Sequence, residues 1–312
     1  MRGLITRTTG SSCMVRTDSG SDVECIVKGN FRIKGIRSTN PVAVGDYVEI
    51  TEPVQGEPSF IKSIEDRRNY IVRRSSNLSK QSHILACNLD QCVLIVTIQH
   101  PETSTVFVDR FLATAQAYRV PTILVFNKVD LLTEEDTVRL KELMDLYSGI
   151  GYSCLTCDAK HGTGVDEIVS VLSGKVTLLS GNSGVGKSTL VNRILPDLRL
   201  KTGLISDKHD TGMHTTTFSE MFELPGGGWI IDTPGVKGFG NFDMEPEEIG
   251  HYFSEIFSMS RDCRFGNCTH TNEPGCAVKN AVSTGEISLS RFTSYLSMLQ
   301  DEDEDKYRKP QE

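Results

Sequence analysis

The sequence predicts a multidomain chain: a small all-β barrel, then an α/β domain, then a helical segment gathered around a cysteine–histidine knot. Three observations carry this. Residues 1–70 alternate apolar and polar positions over short runs broken by Gly, Asn, Asp and Ser, with no long helical period. Residues 75–240 alternate apolar strands with amphipathic helices, the texture of parallel βαβ units with right-handed crossovers. Residues 241–312 carry helical patterns that flank three cysteines and a histidine.

A chain of 312 residues is long enough for two or three separate cores. The N-terminus MRGLITRTTG has no apolar signal core, and apolar runs such as VLIV (93–96) are too short to span a bilayer. The expectation is a cytoplasmic monomer with no membrane partner. In a reducing compartment the nine cysteines should stay free or bind metal rather than pair. A net charge of −8 argues against a uniformly basic nucleic-acid binder, although the run DEDED (301–305) supplies part of the excess and local patches matter more than the sum.

The elements follow in order. SCMVRT (12–17), VECIVKG (23–29) and DYVEI (46–50) read as barrel strands, and an OB-fold is the commonest architecture for such a segment. QCVLIVTI (91–98) is a buried strand, residues 106–118 a helix and TILVF (122–126) the next strand. A second helix opens at Thr133 as N-cap with Asp136 three residues on, and Leu140, Leu143, Met144 and Tyr147 form its buried stripe. A strand near 152–156, a helix over 164–172 and the strand VTLLS (176–180) complete the run. Two helical patterns, 246–258 and 287–299, occupy the C-terminal part.

VTLLS leads into GNSGVGKST (181–189), where Gly181, Gly186, Lys187 and Ser188 satisfy G-x-x-x-x-G-K-[ST]. The glycines let the backbone curl so that N–H groups along Gly181, Asn182, Ser183, Gly184, Val185, Gly186 and Thr189 face phosphate oxygens. Lys187 is placed to reach the β- and γ-phosphates, and the Ser188 hydroxyl to ligand Mg²⁺. In WIIDTPG (229–235) Asp232 ends an apolar strand, as the second Mg²⁺ partner of a phosphate loop does, and the Gly235 N–H can meet the γ-phosphate.

Asn127-Lys128-Val129-Asp130 then reads as a guanine reader. An ionised Asp130 accepts from guanine N1–H and the 2-amino group, adenine offers neither donor, and ATP is thereby disfavoured. Lys128 lies along the base plane and Asn127 ties its loop to the phosphate loop. Asp158-Ala159-Lys160 resembles the S-A-K loop whose backbone touches guanine O6, with Asp in place of Ser. In ordinary GTPases the reader follows the phosphate loop; here it precedes it by more than fifty residues. A circular permutation, with LSGK (172–175) joining the former ends, accounts for both halves.

Cys263-x₄-Cys268-x-His270-x₅-Cys276 is a Cys₃His set suited to one closed, structural tetrahedral Zn²⁺, with Gly266, Asn267, Pro274 and Gly275 letting the chain fold back. KGNFRIKGIR (28–37) carries Lys28, Arg32, Lys34 and Arg37 around Phe31 without an acid, and RRNYIVRR (67–74) adds four arginines. Both stretches suit RNA backbone contact and base stacking, or are simply solvated strand faces.

Taken in order, NKVD, DAK, GNSGVGKST, GMHTTT, DTPGV and the Cys/His motif behind a small β-domain resemble the RsgA (YjeQ) family of circularly permuted GTPases, which assist late assembly of the small ribosomal subunit. The resemblance spans nearly the whole chain. It implies an N-terminal OB-fold, a central circularly permuted P-loop GTPase domain and a C-terminal helical zinc-binding domain. It also implies stimulation by the 30S subunit and binding of its rRNA. In GMHTTT (212–217) it favours Thr216, among Thr215, Thr216 and Thr217, as the further Mg²⁺ ligand. Val236 stands where many GTPases carry a water-orienting Gln, so intrinsic turnover should be slow, and His214 becomes the catalytic candidate beside Lys187. Two alternatives stay open: a similar GTPase serving another RNA or protein assembly, and a non-hydrolysing RNA-binding scaffold.

Overall fold

The computed structural model describes residues 1–9, 12–27, 41–54, 57–74, 82–198, 219–232 and 244–300. The first five strands are β1 (Arg2–Thr9), β2 (Ser12–Thr17), β3 (Asp22–Ile26), β4 (Tyr47–Ile50) and β5 (Ser59–Ile64). They pair as β1–β2–β3–β5–β4, and β4 returns to β1, so the sheet closes into a five-stranded barrel. Burial alternates along β2 with period two, as a wall with one side in the core requires. Ile5, Val15, Cys25, Val48, Ile50 and Ile61 fill the interior. This is the expected OB-type barrel.

The chain leaves the barrel through a hairpin, β6 (Tyr70–Arg74) with β7 (Ser82–Cys87), which packs Ile71, Leu85 and Ala86 into the core of the α/β domain. Two arginines of the RRNYIVRR stretch are structural here. Arg67 donates to both carboxylate oxygens of fully buried Asp46 at 2.7 Å and to the Pro41 carbonyl at 3.0 Å. Arg68 binds Asp90 and the carbonyls of Asn88 and Leu89. A buried carboxylate needs such a partner, so Arg67 is withdrawn from any RNA-facing surface.

The central sheet is built from β8 (Gln91–Val96), β9 (Thr122–Asn127), β10 (Ser153–Cys157), β11 (Val176–Gly181), β12 (Glu220–Glu223) and β13 (Trp229–Asp232). Its order is β10-β9-β8-β11-β13-β12, all parallel except β12. The chain steps outward from β8 to β10, returns to β11 on the other side of β8, passes out to β12 and comes back to β13 between β12 and β11. Between β8 and β11 the order reverses, and the crevice beyond the carboxyl ends of such strands is where open α/β sheets hold ligands. Helices α1 (Thr105–Ala117), α2 (Glu134–Gly149), α3 (Val165–Leu172) and α4 (Lys187–Ile194) cover the sheet. Successive residues of β8 feed opposite cores: Leu94 packs with Phe111, Leu124, Leu178 and Ile231, while Val93 and Ile95 pack with Val125, Ile168, Leu179 and Leu190. Both faces are therefore dry, as parallel sheets demand. The Thr133–Asp136 capping box opens α2, with Leu140 and Tyr147 buried along it.

The join between the permuted ends is a tight turn. Gly174, at φ 70°, donates to the Gly227 carbonyl, and Trp229 donates to the Lys175 carbonyl, which pins the join against the β12–β13 turn. The barrel meets the same region, because β1 pairs with β12 at Arg7 and Glu220. Arg16 of β2 bonds Glu223 and lies over the Trp229 ring.

The C-terminal part contains α5 (Pro246–Ile249), α6 (Ser254–Ser260), α7 (Ala277–Thr284) and α8 (Leu289–Leu299). The single helix expected over 246–258 is broken: a 3-10 turn, Gly250–Tyr252, separates α5 from α6, and extended Phe253 turns the chain. The helix α7 was not expected; only Val278, Ala281 and Val282 mark its apolar face, too few for a readable period. These helices share a core that includes Ala113 of α1. Among the described residues, no helix is long and apolar enough to cross a membrane.

Candidate functional site

The crevice at the strand-order reversal is lined by three loops. The first follows β11. Gly181, Gly184 and Gly186 all have positive φ, and Gly186 is the left-handed residue that opens α4 at Lys187. A Cβ on Gly186 would stand 2.3 Å from Asn127 Nδ2, so this position accepts no side chain. The loop folds over buried Val185, and Ser188 and Thr189 sit in the first turn of α4, where unpaired N–H groups collect. Asn182 and Ser183 lie in the bend between β11 and α4.

The Lys187 ammonium is ion-paired with Asp232, the last residue of β13, and both side chains are largely buried. The phosphate-loop lysine, the Ser188 turn and the strand-end aspartate thus meet at one end of the sheet. Hard oxygen donors of the Ser188 and Asp232 kind suit Mg²⁺.

The second loop follows β9. Asn127, only 3% exposed, donates from Nδ2 to the Val185 carbonyl at 2.8 Å and accepts at Oδ1 from the Ala159 N–H at 3.0 Å. A single amide therefore ties together the segments that the permutation separates in sequence. Lys128 adopts a left-handed conformation, and its ammonium donates to the His100 carbonyl in the loop after β8. Asp130 lies in the 3-10 turn Val129–Leu131.

The third loop, after β10, contains Asp158-Ala159-Lys160. The buried Asp158 carboxylate accepts from the N–H groups of Lys160 and His161, each at 3.0 Å, and from His161 Nδ1 at 2.5 Å. Short polar side chains that cap their own turn in this way are common, which accounts for an Asp at this turn position. Burial pushes this carboxyl up, but the bonds from His161 and from the Lys160 backbone outweigh it and hold it below the ordinary range. His161 was not singled out from the sequence. Its Nδ1 also lies 3.7 Å from Asp130. The signal available was a histidine three residues after an aspartate in a turn, a pattern common enough to carry no weight alone.

The Cys₃His knot assembles as expected. One ligand atom from each of Cys263, Cys268, His270 and Cys276 lies within 4.8 Å of the others. The Cys263 and Cys276 sulfurs are 3.9 Å apart, and they stand 3.6 and 3.4 Å from His270 Nδ1. A tetrahedral zinc ion has edges of about 3.8 Å between sulfurs and about 3.6 Å between sulfur and nitrogen, so the donor set fits. The sulfur separation is far beyond a disulfide bond. Burial lowers the His270 imidazole, which favours the neutral ring a metal needs. Nearby, the Tyr295 hydroxyl and the Glu273 carboxylate brace Thr269, and the Lys279 N–H points at the Cys276 sulfur.

Several expected residues fall outside the described residues: GMHTTT with His214 and Thr216, Gly235 and Val236, the basic stretch 28–37, and the acidic run 301–305. The side chains of Arg73 and Arg74 do so too.

An α/β sheet with a phosphate loop at its reversal point, and an N-K-x-D loop supplied from upstream, defines a circularly permuted GTPase, a GTP-hydrolysing enzyme. The chain belongs to the RsgA GTPase family. The profile described as RsgA GTPase matches residues 64–242, and that of the RsgA N-terminal domain matches residues 2–59. A relative from Phocaeicola vulgatus, named small ribosomal subunit biogenesis GTPase RsgA, is 64% identical over 308 residues, 99% of each chain. Among solved structures, YjeQ from Thermotoga maritima superposes with a TM-score of 0.77 at 34% identity, covering 96% of both chains. YloQ, described as a circularly permuted GTPase, gives a TM-score of 0.72 at 28% identity, covering 100% of this chain and 96% of its own.

Proposed function

We propose that this chain acts in the cytoplasm, as a monomer, in late assembly of the small (30S) ribosomal subunit, binding its rRNA and hydrolysing GTP slowly until the subunit accelerates turnover. The name of the Phocaeicola vulgatus relative supports the ribosomal reading. The observation that carries the nucleotide reading is the Asn127 amide, which joins the guanine reader to the phosphate loop.

In this reading the backbone from Gly181 to Thr189 wraps the phosphates, and Lys187 exchanges its Asp232 partner for phosphate oxygens. Ser188 and Asp232, joined by Thr216, would hold Mg²⁺, which supplies charge neutralisation at the phosphates. The Gly235 N–H meets the γ-phosphate. Asp130 reads the guanine edge, Lys128 flanks the base, and the Asp158-Ala159-Lys160 backbone closes on O6. His214 orients the attacking water, taking over from the Gln that Val236 replaces. Cys263, Cys268, His270 and Cys276 would hold one structural zinc, which pins the helical domain, and elemental analysis should find one zinc per chain. The basic stretch 28–37 faces rRNA.

The test is GTP turnover alone, with 30S and with 50S subunits, for the wild type and His214→Ala. The 30S subunit should accelerate the wild type, and the variant should lose the stimulated rate by about 10²-fold, the usual worth of a positioned acid or base. Equal rates with 30S, with 50S and without either would sink the ribosomal reading. Undiminished turnover in His214→Ala would remove His214.

A further inference from the structure

The turn after β10 presents a histidine that the nucleotide machinery above leaves without a task. One nitrogen of His161, Nδ1, faces two carboxylates at once: Asp158 at 2.5 Å and Asp130 at 3.7 Å. One oxygen from each carboxylate and this nitrogen all lie within 4.8 Å of one another. Among the described residues, His161 is the basic group within ion-pairing distance of either aspartate. The ring is more than half exposed, yet Nδ1 points inward between the acids rather than to solvent.

The chemistry of base reading makes this arrangement consequential. To accept from both guanine N1–H and the 2-amino group, Asp130 must carry no proton, because a protonated carboxyl would turn one acceptor into a donor. A second carboxylate a few ångströms away repels that negative charge and tends to push the side chain off the guanine edge. Asp158 is such a neighbour, 4% exposed and fixed by its own turn. With serine at that position there would be no repulsion to relieve. The same turn that brings the extra negative charge also supplies the histidine that faces it.

We propose that His161 is a specificity-determining positioning residue of the guanine site: set between Asp158 and Asp130, its Nδ1 separates the two carboxylates and keeps Asp130 oriented for the guanine edge. This rests on the guanine-reading role of Asp130. His161 touches the reader rather than the reacting phosphates, so its removal alters base preference and leaves the phosphate contacts in place.

The test is a coupling cycle on the full-length protein, with dissociation constants for GDP and for inosine diphosphate, which lacks the 2-amino group. His161→Ala should weaken GDP on the order of tenfold, within the range for contacting side chains, and shrink the preference for GDP over inosine diphosphate. In an Asp158→Asn background, which keeps the turn's acceptor oxygen and removes its charge, the same change should cost less than about twofold. Asp158→Ser provides a second background should Asp158→Asn fold poorly. Equal penalties in both backgrounds, equal loss of both nucleotides, or no loss at all would overturn the proposal. Asp130→Asn separates it from the reading beneath: if that variant takes up xanthosine diphosphate while His161→Ala changes nothing, only the role of His161 falls. If Asp130→Asn leaves GDP binding intact, the guanine reader itself is wrong.

Discussion

Asn127 shows how much a single side chain can decide. Its amide offers one donor and one acceptor, and both are spent on backbone groups of other loops, the Val185 carbonyl and the Ala159 N–H. Asn127→Ala leaves both groups buried without partners, at about 1–3 kcal/mol for each orphan. Denaturant unfolding should record that loss, and GDP titration should show weakened binding because the reader is no longer tied to the phosphate loop. Unchanged stability and affinity would mean the three loops hold together by other means. At this scale the sequence was partly legible. Asn127, Lys128 and Asp130 declare themselves because N-K-x-D sits at a strand end, and the glycines declare themselves because only they suit such φ values. The bonds of Lys128 to His100 and of His161 to Asp158, and the approach of His161 to Asp130, belong to loop conformations that no periodicity encodes.

Among the elements, α1 joins two bodies. Its Asp109, fully buried, accepts from Arg291 of α8 at 2.8 Å and from the Tyr147 hydroxyl of α2 at 2.9 Å. Arg291, 1% exposed, also bonds both oxygens of Glu255 in α6 and lies over the Phe253 ring. The α/β domain and the helices around the Cys/His knot are thus fastened by a buried ion network as well as by apolar packing around Ala113. Arg291→Ala strands the Asp109 charge in a dry site and should destabilise the protein by about 3–5 kcal/mol, the usual cost of breaking a buried pair from one side. Arg291→Met combined with Asp109→Leu removes both charges between these helices and should be less damaging than Arg291→Ala, a comparison read from urea midpoints. If the single variant proved the milder, the network would not be what fastens α8. Helices α1 and α2 were readable because they are long, periodic and capped. The broken 246–258 segment and the short α7 were not, since a turn or two of helix shows no period. A buried arginine in α8 was equally hidden, because charge on a helix normally marks its wet face.

At the scale of the whole molecule, the permutation was legible from motif order alone, and the sheet shows why it costs the fold so little. The old ends meet in the Gly174 turn, and β11 still lies beside β8 and β13. The cut frees the chain on either side, so that the barrel enters through β6–β7 ahead of β8 and the helical domain follows β13. What could not be read was the contact between bodies, such as β1 pairing with β12, because it depends on how finished domains dock. In the proposed function, two segments in inverted order, 122–160 and 176–232, form one guanine-nucleotide site. Calorimetric titration of the wild type and Asp130→Asn with GDP and xanthosine diphosphate tests it most directly. The expected result is that the wild type binds GDP and the variant shifts its preference to xanthosine diphosphate, whose 2-oxo group needs a donor where guanine offers one. Undiminished GDP binding by Asp130→Asn would contradict it.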